Sequence, residues 1–242
     1  MAGLDESQSE IPSLKIPDFE TSGRGVSNQE LMDDARKSLS GNWGMAILGY
    51  FLYVLLSIGI SLFVFSSTHF VGAIALISGN DPGMAMGLIS VFSQLFQFVI
   101  CGPLVVGFYG FYLGMVQEDE GKLELLFVGF RRFLKSFATY FLSSLFILLW
   151  TLLFIIPGLI AAFRYSMAYF CIADDEDCGP LEAIRLSKEM MKGNKWKFFC
   201  LNCRFIGWWF LATFFTSGIG YLWLIPYVQT SYAKFYEDVK SA

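Results

Sequence analysis

The residue in this sequence whose type and setting most suggest chemistry is an arginine inside a long apolar stretch. Arg164 is the first charged residue after Lys135, and the next acid along the chain is Asp174. A charge within a hydrocarbon layer costs about 2.5–3.5 kcal/mol on insertion scales, so such a residue is a candidate functional residue. Arg164 could bind the anionic group of a lipid or another amphiphile. It could also be a structural arginine, satisfied by backbone carbonyls and tyrosine hydroxyls.

The side chains that could share a ligand with this arginine are tyrosines and glutamines of the apolar stretches, because the long uncharged runs of the chain contain no Asp or Glu. The predicted ligand-binding residues are Arg164, Tyr165, Tyr169, Gln94 and Gln97.

Other reactive side chains do not assemble into a recognisable set. Cys200 and Cys203 form a C-x-x-C pair without a second such pair or a nearby histidine, so we expect no metal site. A Ser–His–Asp arrangement is excluded, because the single histidine, His69, is predicted on the side of the membrane opposite to the acidic runs. The sequence also contains no glycine-rich phosphate loop of a known kind. The acidic runs at 118–120 and 174–177 are interpreted as solvated helix caps or partners of nearby Lys and Arg. The sequence therefore predicts no cofactor and disfavours an enzyme, although carboxylate chemistry at the surface stays open.

The composition indicates an integral membrane protein. Of the 242 residues, 55% are hydrophobic and 16% are charged, against about 25% charged residues in a soluble domain. Uncharged runs of 18 residues or more indicate transmembrane helices. Four such runs occur, at Trp43–Asn80, Pro82–Gln117, Ser136–Phe163 and Phe205–Ala233. The polar start of the chain predicts no signal peptide.

Each run is longer than the roughly 20 residues that one crossing needs, so the chain must turn within them. We predict an all-α protein with about six transmembrane helices, paired as three helical hairpins. The predicted crossings are 43–66, 88–116, 136–156, 158–174, 195–216 and 220–237. The predicted structural turns and kinks are at Gly102, Pro103, Pro157, Gly158 and Pro226, with Pro157-Gly158 at the tip of the second hairpin. Segment 67–83 is expected to be a helical extension or an element on the outer surface.

The placement of basic residues predicts the orientation. With these crossings, no Lys or Arg falls in the three loops opposite the termini, so the positive-inside rule puts both termini in the cytoplasm of a multi-pass inner-membrane protein. The predicted membrane-interface residues are Trp43, Lys188, Lys192, Lys195, Trp196 and Lys197. We expect them to contact membrane lipids, including anionic headgroups, and not nucleic acid; the sequence identifies no partner protein.

A cytoplasmic amphipathic helix is expected before each hairpin, at about 28–40, 122–134 and 180–192. Ser27 and Glu30 predict a capping box at the first. A single membrane domain is expected over 27–242, after a disordered cytoplasmic tail at 1–26. We hypothesise that this domain is a threefold repeat of segments 27–120, 121–178 and 179–240.

Several phrases of this sequence resemble a known family. They are Asn42-Trp43-Gly44, Gly102-Pro103-Leu104, Ile156-Pro157-Gly158 with Tyr165-Ser166-Met167-Ala168, the run from Glu182 to Lys197, and Phe205-Ile206-Gly207-Trp208-Trp209. Together they resemble the bacterial polytopic membrane proteins called domain of unknown function nine-seven-five, from about Asn42 to Asp238. The resemblance implies an inner-membrane topology, with no established activity and no recognised cofactor.

Three functions are consistent with these features. The first is the binding or transport of a lipid or other amphiphile within the helical bundle, because repeats and helices interrupted by Pro or Gly are typical of transporter sites. The second is a non-catalytic scaffold that organises the membrane through its amphipathic helices. The third is an interfacial lipid-modifying enzyme.

Overall fold

The chain folds entirely into helices in the part that the structure, a computed structural model, describes. That part comprises residues 26–79, 81–117 and 121–241, so the predicted tail at 1–26 lies outside it except for Val26, and the acidic run 118–120 lies outside it altogether. The helices are α1 (Asn28–Leu39), α2 (Trp43–Ile77), α3 (Pro82–Gln117), α4 (Val128–Arg131), α5 (Phe133–Leu153), α6 (Ile155–Tyr165), α7 (Ala168–Asp174), α8 (Pro180–Met190), α9 (Lys195–Thr216) and α10 (Tyr221–Lys240), with a 3-10 helix at Leu123–Phe127.

Local sequence signals set the starts of the two surface helices α1 and α8. The predicted capping box is present at α1, where the Glu30 amide donates to the Ser27 hydroxyl and the Ser27 amide donates to the Glu30 carboxylate. Pro180 occupies the first turn of α8. Proline is tolerated there because N–H groups of the first turn have no acceptor within the helix, so the N–H that proline lacks is not missed. Leu31, Ala35 and Leu39 are the buried residues of α1, so one stripe at a spacing of four residues faces the protein.

The two surface helices lead into the next long helices through the same short linker. Gly41 has φ +96° and Gly193 has φ +90°, a left-handed conformation that favours glycine. The following asparagines, Asn42 and Asn194, are the N-cap residues of α2 and α9. The Gly-Asn phrase in the sequence therefore corresponds to one local turn that occurs twice.

Five helical segments are long and apolar enough to cross a membrane, compared with the six predicted. They are Trp43–Ile77, Met86–Gln117, Phe133–Leu153, Ile155–Asp174 and Lys195–Thr216. The predicted crossing at 220–237 is helical, as α10, but its Lys234, Glu237 and Asp238 make it too polar to qualify. Buried residues occur along α10 from Leu224 to Val239, so much of the surface of this helix packs against other helices, although Trp223 in its first turn is exposed.

The break in the second pair of spans lies three residues before the predicted one. α5 ends at Leu153, Phe154 is extended with φ −160° and ψ 148°, and α6 begins at Ile155. Pro157 lies in the first turn of α6, where proline is tolerated. A Cβ added to Gly158 would lie 2.2 Å from the Thr151 hydroxyl oxygen, so Gly158 permits close packing of α6 on α5 instead of forming the tip.

The other predicted turn residues also lie inside helices. Pro103 is within α3 and Pro226 is within α10. Gly102 packs against α5, since a Cβ there would lie 3.0 Å from the Tyr140 Cβ. The turn between α9 and α10 is at 217–220, as predicted, with Ser217 in the left-handed conformation at φ 48°.

Segment 67–83 is mostly helical. Of the two structures expected for it, a helical extension or an element on the outer surface, the structure has the helical extension. α2 continues through it to Ile77, and α3 begins at Pro82. The two helices have 35 and 36 residues, or about 52–54 Å at 1.5 Å per residue. They pack antiparallel, with Gly49 against the Phe111 ring near one end and Gln97 donating to Ser61 at 3.1 Å further along.

The predicted amphipathic helix at 122–134 is not one regular helix. It divides into the 3-10 helix and the single turn of α4, followed directly by α5. The cause is a glycine-lined contact with α3. A Cβ on Gly107 would lie 1.8 Å from the Leu126 carbonyl oxygen, and one on Gly129 would lie 1.8 Å from the Pro103 carbonyl oxygen. Backbone approaches backbone so closely that this segment follows the surface of α3.

Polar side chains tie five segments together at one end of the bundle. Asp174 accepts hydrogen bonds from Gln117, Tyr236 and Lys240. Asp238 accepts from the Val26 amide and forms an ion pair with Lys197. The start of α1, the ends of α3, α7 and α10, and the start of α9 therefore meet in one polar layer.

We predict that Gly107→Ala destabilises the protein by about 2–3 kcal/mol, because the added methyl group must force apart α3 and the 3-10 helix. Gly87→Ala is the matched control in the same helix, since a Cβ there meets nothing within 4 Å, and alanine should favour the helix by up to about 1 kcal/mol. Thermal unfolding of the detergent-solubilised variants measures both effects. Equal melting temperatures for the two variants would contradict the close contact.

Candidate amphiphile-binding site

Arg164 lies in the last turn of α6, where it borders an apolar groove. The groove has a volume of about 230 Å³ and is lined by Trp150, Pro157, Ile160, Ala161 and Arg164. Its wall comes from α5 on one side and from α6 on the other. The Arg164 residue is exposed, so the guanidinium is accessible at the edge of a surface that is otherwise apolar.

Within the described residues, the Arg164 guanidinium makes no hydrogen bond and no ion pair. Its backbone carbonyl accepts one from Ser187 at 2.9 Å. The carbonyls and tyrosine hydroxyls that would satisfy a structural arginine are thus not engaged with this side chain in the described part of the chain. A cation in this state can bind an anion without first breaking an internal bond.

Ser187 of α8 stabilises the interruption between α6 and α7. α6 ends at Tyr165 and α7 begins at Ala168, so backbone groups at the interruption need partners outside the helix. The Ser187 hydroxyl accepts a hydrogen bond from the Met167 amide at 3.2 Å and donates one to the Arg164 carbonyl at 2.9 Å. Ser187 is completely buried. One hydroxyl therefore positions α8 against the residue that carries the candidate cation.

This contact brings a second cation to the same junction. Lys188 follows Ser187 on α8, and its ammonium nitrogen lies 5.6 Å from the centroid of the Tyr165 ring and 5.7 Å from that of the Phe146 ring. Both distances suit a cation–π contact. No carboxylate pairs with Lys188 in the described ranges. Two cations without an acidic partner there thus occupy the junction of α5, α6 and α8.

The remaining members of the predicted ligand-binding set are placed apart from the groove lining. Tyr165 is buried beneath Lys188. Tyr169 lies within a tyrosine cluster, with its ring centroid 5.4 Å from that of Tyr109 and 6.4 Å from that of Tyr140. Gln97 donates to Ser61, and Gln94 is exposed on α3. The structure thus brings together Arg164, Tyr165 and Lys188. The sequence analysis placed Lys188 only at the membrane interface, although the sequence shows that it directly follows Ser187.

The predicted interface residues have different environments. Lys192 and Trp196 are exposed and Lys195 is half-buried. Lys197 is bound to Asp238, and Trp43 lines a separate groove between α1, α9 and α10. The prediction that these side chains contact lipid remains a prediction.

The acidic run at 174–177 is occupied by internal contacts. Asp174 belongs to the polar layer, and Glu176 pairs with Arg132, whose hydrogen bond lowers the pKa of the Glu176 carboxyl. Burial raises the pKa of the nearby Cys178 thiol to about 11, so this thiol is protonated at neutral pH. In the described residues, no three His, Cys, Asp or Glu side chains come together as a group that could hold a metal ion.

Comparison with known protein families finds one matching family model, described as protein of unknown function (DUF975). It matches residues 26–162 and 152–242. Neither the curated proteins nor the solved structures contain a match.

We predict that Ser187→Ala destabilises the protein by about 1–3 kcal/mol, because it leaves the buried Met167 amide without an acceptor. Ser166→Ala is the control. The Ser166 hydroxyl donates only to the Phe163 carbonyl of its own helix, at 2.8 Å, so its loss should cost less. Chemical denaturation in detergent compares the two, and an equal loss of stability would argue against the role of Ser187.

Proposed function

We propose that this chain, which belongs to the family of proteins of unknown function DUF975, is an inner-membrane protein that binds or transports an anionic lipid or another anionic amphiphile at Arg164 and Lys188. The observation that supports the proposal is an apolar groove bordered by Arg164, with Lys188 over the ring of the adjoining Tyr165 and no acidic partner for either cation in the described residues. The groove suits an acyl chain, and the two cations suit its anionic headgroup.

The chemistry of the two cations favours a phosphate or carboxylate. A guanidinium offers a planar set of donors that matches both groups, and an ammonium adds a compact second charge. A basic residue near a membrane surface contributes about 1 kcal/mol to the binding of anionic lipid. Trp150 supplies a flat apolar wall on the same groove, where an acyl chain could pack.

The topology that we propose keeps three membrane hairpins, α2–α3, α5–α7 and α9–α10, with both termini in the cytoplasm. The antiparallel contacts of α10 with α9 support it, since Phe198 is 5.0 Å from Phe235 near one end and Trp209 is 5.2 Å from Tyr221 near the other, measured between ring centroids. The polar groups of α10 need not face lipid, because Tyr232 donates to Asn202 and Lys240 binds Asp174. α10 is then a sixth crossing that is shielded by protein.

The threefold repeat is retained as a hypothesis about how this topology arose. The matching Gly-Asn linkers before α2 and α9 support it. The middle unit differs, because a 3-10 helix and the short α4 precede α5 and Arg132 is the N-cap residue.

Site-directed labelling tests the topology in a variant whose five native cysteines have been replaced. We predict that a membrane-impermeant maleimide labels Ser78→Cys in intact cells, because Ser78 is exposed at the α2–α3 turn. Ser40→Cys and Ser241→Cys should react only after the cells are permeabilised. Labelling of Ser241→Cys in intact cells would show that α10 does not cross the membrane.

A second candidate function is a non-catalytic scaffold. The observation that favours it is the polar layer, which joins five segments, including the start of α1, at one end of the bundle. A scaffold would keep its partners or its effect on membrane shape after the two cations are removed, whereas a binding protein would lose its lipid.

We predict that the double variant Arg164→Gln and Lys188→Gln co-purifies with less anionic lipid than the native chain. At about 1 kcal/mol per charge, each substitution should weaken lipid binding about fivefold. Mass spectrometry of lipids retained after purification in a mild detergent provides the measurement. Arg204→Gln is the control, because Arg204 is an exposed arginine of α9 outside the groove lining. Unchanged lipid content in the double variant, with normal insertion and stability, would leave the scaffold as the better description.

A further inference from the structure

A second groove lies between α1, α9 and α10, with the start of α2 at its edge. Its volume is about 340 Å³, larger than that of the Arg164 groove. Three of the six tryptophans of the chain line it, Trp43, Trp208 and Trp223, together with Phe215 and Leu224. From Gly220, the N-cap residue of α10, the lining extends to Tyr227, about 10 Å along the helix axis.

The one charged residue of this lining is Arg36, which lies over an aromatic ring. Its guanidinium carbon lies 5.6 Å from the centroid of the Tyr227 ring. The Tyr227 hydroxyl donates to the Met32 carbonyl of α1 at 3.3 Å, which holds α1 and its arginine beside the groove. The Val26 amide adds a hydrogen bond to Asp238, and the Asn28 side chain donates to the Lys197 carbonyl.

The neighbouring lysine shows what distinguishes Arg36. Lys37 forms an ion pair with Asp34 at 2.9 Å, and this pair raises the pKa of Lys37. Arg36 has no acidic partner among the described residues. The two hydroxyl groups that also line the groove are already engaged, since Tyr227 donates to Met32 and the Thr216 hydroxyl donates to the Ala212 carbonyl. Arg36 is therefore the charged group of the lining that can meet an anionic end of a ligand.

We infer that this groove is a binding site for a single-chain anionic amphiphile, with the anionic head on Arg36 and the chain between the tryptophans. The head can be a fatty-acid carboxylate or the phosphate of a lysophospholipid, which share a negative charge and one chain. A groove of about 340 Å³ with one cation in its lining suits one chain and one anionic head. The site uses none of the residues that line the Arg164 groove.

Tryptophan fluorescence measures binding at this groove directly. The probe is stearic acid that carries a doxyl quencher on its chain, titrated into the full-length protein in a non-ionic detergent, with the uncharged methyl ester as the comparison. We expect saturable quenching by the acid and at least fivefold weaker quenching by the ester. Trp223→Phe should reduce the amplitude, because it removes one of the quenched side chains.

The decisive comparison is Arg36→Gln against Lys37→Gln, its neighbour on α1. We expect Arg36→Gln to weaken binding of the acid about five- to tenfold and to abolish its advantage over the ester, while Lys37→Gln leaves both unchanged. Equal effects of the two substitutions, or quenching that does not saturate, would overturn the assignment.

Because α1 contributes to the fold, melting temperatures of both variants must match that of the native chain. Arg36→Lys, which keeps the positive charge, should bind the acid more tightly than Arg36→Gln does.

Two further arms separate the alternatives. Competition by an anionic lysophospholipid would identify the phosphate head, and competition by unlabelled fatty acid alone would identify the carboxylate; competition by neither would overturn the proposal. The double variant Arg164→Gln and Lys188→Gln, carried with Trp150→Phe, removes the other groove and its fluorescence signal, and it should retain the saturable quenching that depends on Arg36. Loss of binding in that variant would show that the two grooves are not separate sites, which would overturn this inference without testing the function proposed for Arg164.

Discussion

The close approach of backbone to backbone at the glycine face of α3 is the constraint on which the rest of this bundle depends. Gly107 and Gly129 leave no room for a side chain between α3 and the segment from the 3-10 helix to α4. Because that segment follows the surface of α3, it sets the point where α5 begins. The course of α5 in turn places α6 and α8, and with them Arg164 and Lys188.

The basic residues divide into those that hold the structure and those that can bind something else. Lys197, Lys240 and Arg132 form ion pairs that join segments distant in sequence. Arg36 and Arg164 have no acidic partner in the described part of the chain, and each borders an apolar groove. Two grooves with similar chemistry on different helix pairs are consistent with a protein that handles amphiphiles at more than one position in the bilayer.

The boundaries that the sequence predicted correctly are those with a local cause. The capping box at Ser27, the start of the helix expected at about 180 and the turn between the predicted crossings 195–216 and 220–237 depend on neighbouring residues alone. The break assigned to Pro157-Gly158 was wrong because proline is also acceptable in the first turn of a helix, so its position relative to the break at Phe154 is ambiguous. The count of six spans differs from the five found because the predicted sixth, α10, carries Lys234, Glu237 and Asp238 in its second half and is too polar to qualify.

The sequence by itself determined the helical class, the membrane character and the membership of a family, since these depend on composition, periodicity and recurring phrases. It also singled out Arg164. Only the tertiary structure decided which groups stand beside that arginine. Ser187 is 23 residues away along the chain, yet its hydroxyl reaches the Arg164 carbonyl, and this contact brings Lys188 to the same junction. The Arg36 groove likewise joins α1 to helices about 190 residues later. Such contacts follow from how helices pack, which no local pattern encodes.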